Sequence, residues 1–369
     1  MKTIPVRLKE RSYDILIGQN LLGSIGTSFR KAGLADRQFI LVSQKNIWAL
    51  FEKKISESFA KEQIQYKLFL LPSLKSSEAC KTQAVWSRLI KSLASLDGKN
   101  RSLALLALGG GVVGDLTGFA AAVYRRGIPY VQIPTTLTAQ VDSAIGGKTG
   151  VDLPEGKNLL GCIYQPAMVL SDISALSSLP DRHWSDGFAE VIKYGMIQDV
   201  SLFELLEKTG LQALRGDAEK FEEVIERCAK IKADTVEADE FDKKGVRIVL
   251  NFGHTAGHAI EAASAYSRAY THGEAVGVGM LVACDISRSL GVLKDANLTQ
   301  RLEKTLMKFN LPLHFKGVSA GQVLEAIGYD KKSIQKKNRF ILPVKLGKVT
   351  VVKDIPSEVI QSALEGRKG

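Results

Sequence analysis

The fold turns on residues 103–115, Leu103-Ala104-Leu105-Leu106-Ala107-Leu108-Gly109-Gly110-Gly111-Val112-Val113-Gly114-Asp115. Six apolar residues run without interruption into three glycines. A short apolar run closed by a turn signal reads as a strand buried on both faces. The stretch Leu116–Val123 that follows has helical character. Strand, glycine turn and helix together form the unit from which layered α/β domains are built. Glycine lets backbone amides approach a phosphate, and a helix N-terminus adds partial positive charge. The segment is therefore expected to cradle a pyrophosphate, against the simpler alternative of a tight strand-to-helix turn. It lacks both the Gly-x-Gly-x-x-Gly register and the Lys-Ser/Thr of a P-loop.

Outward from this stretch, helix follows strand repeatedly. Val6–Lys9 and Tyr13–Gly18 alternate apolar and polar residues and predict a strand pair. Phe39–Ser43 and Tyr66–Leu71 predict strands, and Asn46–Gln63 and Glu78–Leu96 predict helices. Beyond about residue 175, long helical periodicities dominate: Ser185–Ile197, Leu202–Lys208, Ala218–Glu240, Thr255–Ala265, Gly273–Gly291 and Ala296–Phe309. Only Phe340–Val352 reads as strand again. The expected organisation is an α/β, Rossmann-like N-terminal domain over residues 1–175 and a mainly helical C-terminal domain over residues 176–369.

Composition narrows the classes. The 369 residues are 45% hydrophobic and 24% charged, ordinary values for a globular protein and not those of a disordered or fibrous one. The longest apolar runs, Leu103–Leu108 and Val276–Cys284, fall well short of the ~20 residues that span a bilayer. The start of the chain has charges at once and no apolar stretch of the signal-peptide kind, so the expected location is the cytoplasm, away from membranes. Four cysteines, Cys80, Cys162, Cys228 and Cys284, are scattered and form no Cys-x-x-Cys pair; they predict buried thiols rather than disulfides. The formal charge of +11 is spread along the chain without a nucleic-acid-binding motif. It suits an anionic small molecule better than a nucleic acid.

Two stretches combine chemistry-bearing residues. Ile133–Gly150 is rich in small polar residues and carries Asp142, a glycine pair and Lys148; Gly156-Lys157-Asn158 follows. Such segments are poor core material and good pocket lining. Further on, three of the five histidines, His254, His258 and His272, fall within 19 residues. His254 and His258 are one turn apart on a predicted helix. Spacing favours them as a metal-binding pair and leaves His254 with His272 as the alternative. Glu190 and Lys193 are three apart in an apolar helix, where a carboxylate needs a partner that a divalent metal would supply. Two imidazoles and a carboxylate make a usual catalytic zinc set. The residues between His254 and His258 are not those of His-Glu-x-x-His, which disfavours a metalloprotease.

Taken in order, these blocks resemble the 3-dehydroquinate synthases, within the sugar-phosphate cyclases. The resemblance begins at Arg11–Gly18. It is densest in Gly109–Gly127, Pro134–Thr136, Val141–Asn158, Leu179–Gly195, Asn251–His258 and His272–Val276. It implies conversion of 3-deoxy-D-arabino-heptulosonate 7-phosphate to 3-dehydroquinate and phosphate, by a homodimer using NAD and Zn2+ or Co2+. NAD oxidises one hydroxyl, phosphate is eliminated, the ketone is reduced again, and ring opening precedes an aldol closure. The resemblance also implies residue roles. Glu190, His254 and His272 would hold the metal, with His258 as proton shuttle and Lys193 and Asp142 beside it. Lys148, Asn158 and Lys331 (or Lys332) would contact substrate, and Arg126 would reach the phosphate of the neighbouring subunit. Lys232 and Arg247 would clamp the carboxylate, with Asn251 at the polar edge. NAD would contact Asn46, Glu78, Lys81, Gly110, Gly111, Val112, Asp115, Thr135, Thr136, Lys148 and Lys157. Gln44 stands where the family usually has Asp. Another sugar-phosphate cyclase, or an NAD- and metal-dependent polyol dehydrogenase, is the alternative on the same fold.

Overall fold

Successive residues of a strand point to opposite faces of its sheet. In the strand Leu103–Gly109, Leu103, Leu105 and Ala107 enter one apolar cluster, while Ala104, Leu106 and Leu108 enter another. Both faces of the sheet are therefore covered, which is why the strand carries no polar alternation. The structure, a computed structural model, describes residues 1–74, 77–97, 102–264, 270–329 and 338–369.

The strands are β1 (Lys2–Val6), β2 (Tyr13–Gly18), β3 (Gln38–Gln44), β4 (Tyr66–Leu71), β5 (Leu103–Gly109), β6 (Tyr130–Pro134), β7 (Lys148–Leu153), β8 (Gly156–Ile163), β9 (Met168–Asp172), β10 (Arg339–Lys345) and β11 (Lys348–Lys353). Seven of them form one sheet in the order β1-β2-β9-β6-β5-β3-β4. Only the β1–β2 pair is antiparallel. The order reverses at β3. From β3 the chain moves outward to β4, then returns to β5 on the other flank of β3. The helix after β3, Lys45–Lys61, packs into one apolar cluster, and the helix after β5, Gly111–Val123, into the other. Connections that part to opposite faces leave a crevice at the carboxyl ends of the two strands, where ligands of such sheets bind. Gln44 and Gly109 mark those ends.

The chain divides into two compact units, Met1–Leu179 with Lys232–Phe241, and Pro180–Ile231 with Asp242–Gly369. A single cut near residue 175 does not provide for the return of Lys232–Phe241 to the first unit. The helix Ala218–Ala238 carries the chain across that division. The second unit is mainly helical, with the β10–β11 hairpin.

Several elements differ from the sequence expectation. The first strand ends at Val6, and Lys9–Arg11 is a 3-10 turn. The amphipathic stretch from Glu78 is broken: Glu78–Cys80 is a 3-10 turn, and the helix Gln83–Leu96 starts afresh, capped by the Thr82 hydroxyl accepting from Val85 N–H. The helix after β5 begins at Gly111, five residues before the expected start. The strands β6–β9 had no strong signal of their own. Among the described residues no helix is long and apolar enough to cross a membrane. All four cysteines are free, with Cys162 exposed and the other three buried.

Candidate active site

In the second unit the helix Asp181–Ile197 is buried at every residue from Gly187 to Ile197. Glu190 and Lys193 sit one turn apart within it, and the ammonium pairs with the carboxylate. Burial opposes the Glu190 charge, but Lys193 and His254 hold its carboxyl well below the usual carboxylate range. Glu190 Oε1 lies 3.3 Å from Nε2 of both His254 and His272. Ligand atoms of His254, His258 and His272 lie within 4.8 Å of one another.

Glycines allow that convergence. The helices His254–Ala263 and His272–Ser289 pass so close that a Cβ on Gly257 would meet the backbone of Ala275 and Val276 at 3.0–3.1 Å. A Cβ on Gly279 would stand 2.0 Å from the Gly253 carbonyl oxygen, and one on Gly273 would stand 2.1 Å from that of Asp186. Gly253, with φ +80°, also makes the left-handed entry into the His254 helix.

The rings of His254 and His272 are both oriented by a partner on Nδ1. His254 Nδ1 lies 3.1 Å from the Phe252 carbonyl oxygen, which fixes the proton on Nδ1 and frees Nε2. His272 Nδ1 lies 3.2 Å from Glu261 Oε2. Burial works against a charge on His272, yet the bonds to Glu190 and Glu261 raise its pKa to about 10. The imidazole thus takes up a proton where carboxylates leave surplus negative charge. A divalent cation would take that proton's place, and a carboxylate with imidazole Nε2 atoms is a donor set suited to zinc or cobalt. The cluster fits a metal. Arg247, in the 3-10 turn Arg247–Asn251, is buried at 3% exposure, and Asn251 is exposed.

In the first unit, the glycines after β5 answer to crowding rather than to unusual dihedrals. Gly110 has φ −80°. A Cβ on Gly109 would meet Val113 at 2.5 Å, and one on Gly114 would meet Gln132 at 2.6 Å. Gly110 and Gly111 face Thr136 and Ser143 at 3.0 Å from where a Cβ would be. Thr135 N–H donates to the Gly109 carbonyl, which ties the Thr135-Thr136 turn to the glycine loop. Side chains at 110 and 111 would fill the approach to the helix N-terminus, so the loop fits a dinucleotide phosphate.

Beside it, Lys81 Nζ lies 2.6 Å from Asp115 Oδ2 and 2.5 Å from Asn158 Oδ1. Burial pushes the Asp115 carboxyl up to about 6, despite the Lys81 ammonium. Lys157 Nζ lies 3.5 Å from Glu78 Oε1. The β7–β8 hairpin is latched here, with Asp152 N–H donating to the Lys81 carbonyl and Asn158 N–H to Asp152 Oδ1. Four residues expected to hold NAD, Glu78, Lys81, Asp115 and Lys157, are thereby brought together, and Asn158, expected to contact substrate, lies against Lys81 in the same group. Val112 follows in the first turn of the loop helix, and Asn46 opens the helix after β3. Ser77 donates to Gln44 Oε1 at 3.1 Å. Lys148 is exposed at the start of β7. Asp142 lies in a π-helical turn, and Lys232 Nζ lies 2.9 Å from its Oδ1. Lys232 belongs to the first unit and Arg247 to the second. Arg126 is exposed in a turn where Arg125, Arg126 and Gly127 all have positive φ. Lys331 and Lys332 lie outside the described residues. Glu261, on the same helix face as His254 and His258, escaped the sequence reading; its spacing of seven from His254 was the available signal.

The class comes first from the fold. The chain matches 2-deoxy-scyllo-inosose synthase complexed with carbaglucose-6-phosphate, NAD+ and Co2+ at a TM-score of 0.86, with 26% identity over 99% of this chain and 100% of that one. It matches 2-epi-5-epi-valiolone synthase from Streptomyces hygroscopicus subsp. jinggangensis, with NAD+ and Zn2+ bound, at a TM-score of 0.83, with 26% identity over 98% of both chains. It thus has the fold of cyclizing synthases.

Family models and relatives are more specific. The model for the 3-dehydroquinate synthase N-terminal region matches residues 72–186, and that for the 3-dehydroquinate synthase C-terminal region matches residues 187–333. The 3-dehydroquinate synthase of Desulforamulus reducens is 41% identical over 365 residues, 99% of each chain. That of Pelobacter propionicus is 41% identical over 353 residues, 95% of this chain and 96% of its own. The chain belongs to the 3-dehydroquinate synthase family.

Proposed function

We propose that the chain converts 3-deoxy-D-arabino-heptulosonate 7-phosphate to 3-dehydroquinate and phosphate, with catalytic NAD and Zn2+ or Co2+, as a phosphate-eliminating lyase. The observation that carries this reading is Glu190 Oε1 at 3.3 Å from the Nε2 atoms of His254 and His272. Glu190, His254 and His272 would hold the cation, and the glycine loop with Glu78, Lys81, Asp115 and Lys157 would hold NAD. Bound there, the cation polarises a substrate hydroxyl and NAD accepts and returns a hydride.

The chain's own groups do the rest. Lys193 fixes the Glu190 carboxylate, and His258 moves the proton of the reacting hydroxyl. Arg247 and Lys232 take the substrate carboxylate, Lys232 keeping its tie to Asp142. Lys148 takes the phosphate, joined by Arg126 of the neighbouring copy in a homodimer. Paired cations suit a doubly anionic substrate. The enzyme would work in the cytoplasm, with neither nucleic acid nor membrane as partner.

The test is phosphate release from the heptulosonate phosphate by protein loaded with NAD and zinc or cobalt. Release without net NADH is the expected result. NADH accumulation would point to a polyol dehydrogenase, and turnover of other sugar phosphates alone to a different cyclase. In the same preparation His254→Ala should lose metal, while His258→Ala keeps it.

A further inference from the structure

We infer that Glu261 is a positioning residue for the metal centre, acting through His272. The inference rests on the reading of Glu190, His254 and His272 as metal ligands. His254, His258 and Glu261 follow one another at intervals of four and three on the helix His254–Ala263, so they share one face. The His272 ring is bracketed by two carboxylates, with Nε2 3.3 Å from Glu190 Oε1 and Nδ1 3.2 Å from Glu261 Oε2.

The two imidazoles are held differently. His254 Nδ1 faces the Phe252 carbonyl, a backbone group fixed by the chain itself. Each imidazole sits on the first residue of its helix, but the side chain of His272 is 35% exposed against 13% for His254. The more exposed ring has fewer neighbours to set its angle. The Glu261 carboxylate supplies what packing does not. It accepts a hydrogen bond from Nδ1–H, holds Nε2 on the Glu190 side, where a bound cation would replace the Nε2 proton, and raises the basicity of the ring toward that cation. The side chain of Glu261 is 11% exposed, so water competes little for that bond.

Zinc affinity, read by competition with a chromophoric chelator, tests this. Glu261→Gln keeps the volume and removes the charge; Glu261→Ala removes both. Loss of such an outer carboxylate weakens metal binding by about 10–100-fold, and that loss is expected here, larger for Ala than for Gln. The visible spectrum of the cobalt-loaded variants should also shift, because the His272 ring turns. Zinc affinity within twofold of the parent and an unchanged cobalt spectrum in both variants would overturn the role of Glu261. If Glu261→Ala does not fold, Glu261→Gln carries the test alone. Glu190→Ala separates the two readings. Metal lost in Glu190→Ala but kept in both Glu261 variants removes only Glu261 from the centre. Metal kept in Glu190→Ala removes the centre itself.

Discussion

Lys193 pairs with Glu190 one helical turn away, with 1% and 2% of their side chains exposed. Removing one partner of a buried pair leaves the other charge uncompensated, at a cost of about 3–5 kcal/mol. Lys193→Met should therefore destabilise metal-free protein by about that amount, measured by denaturant unfolding. Saturating zinc should return part of the loss, because a cation on the other side of Glu190 compensates the same carboxylate. An equal loss with and without zinc would contradict a shared role.

Gly279 should tolerate no side chain. The carbonyl oxygen of Gly253 would stand 2.0 Å from its Cβ, and that atom belongs to backbone that cannot rotate away. Gly279→Ala should cost about 1–3 kcal/mol of stability and lower zinc content, since the helices bearing His254 and His272 must separate. A thermal melt and metal analysis of the purified variant check both outcomes. Gly216→Ala, where a Cβ meets nothing within 4 Å, is the matched control.

Asp97 holds the turn that presents Arg126. Its Oδ2 accepts from the Tyr124 hydroxyl at 2.6 Å and pairs with Arg125 Nη2 at 2.7 Å. Arg125 and Arg126 have φ values of 51° and 64°, a conformation that non-glycine residues keep only where surroundings enforce it. Asp97→Asn should raise KM for the phosphorylated substrate about tenfold, roughly one charge-assisted bond, with little change in kcat. A fall in kcat at unchanged KM would argue against the presentation of Arg126.

Asp199 gives stability a defined acid limit. Its side chain caps the helix Val200–Thr209 through Leu202 N–H at 3.1 Å and takes Arg227 at 2.6 and 2.9 Å. Burial opposes the charge, but the Arg227 and Leu202 bonds leave the carboxyl below its ordinary 3.8. A lowered folded-state pKa means stabilisation fully present above about pH 4–5 and lost as pH falls through the folded value. The stability difference between the parent and Asp199→Asn should be flat from pH 7 to 5 and shrink below pH 4. The loss at neutral pH should be about 1–2 kcal/mol.

Much of this was written locally. The run Leu103–Leu108 into three glycines, the helical spacing of His254 with His258, and Glu190 with Lys193 can each be read within a dozen residues. Their chemistry depends on periodicity, which the chain carries along its length. The resemblance to a family added the roles of residues whose neighbours say little, such as Lys232 and Asn158.

Tertiary structure decided the partnerships. Glu190 meets His272 across 82 positions, Lys81 meets Asn158 across 77, and Lys232 meets Asp142 across 90. No periodicity encodes such pairs; sheet order and the glycine contacts between helices bring them together. The same holds for β6 and β9, short central strands whose partners, not their own patterns, define them. Side-chain types and local faces were fixed by sequence, because a helix or strand repeats over a few residues. Which faces meet was set by packing, because only the assembled backbone fixes distances between segments far apart in the chain.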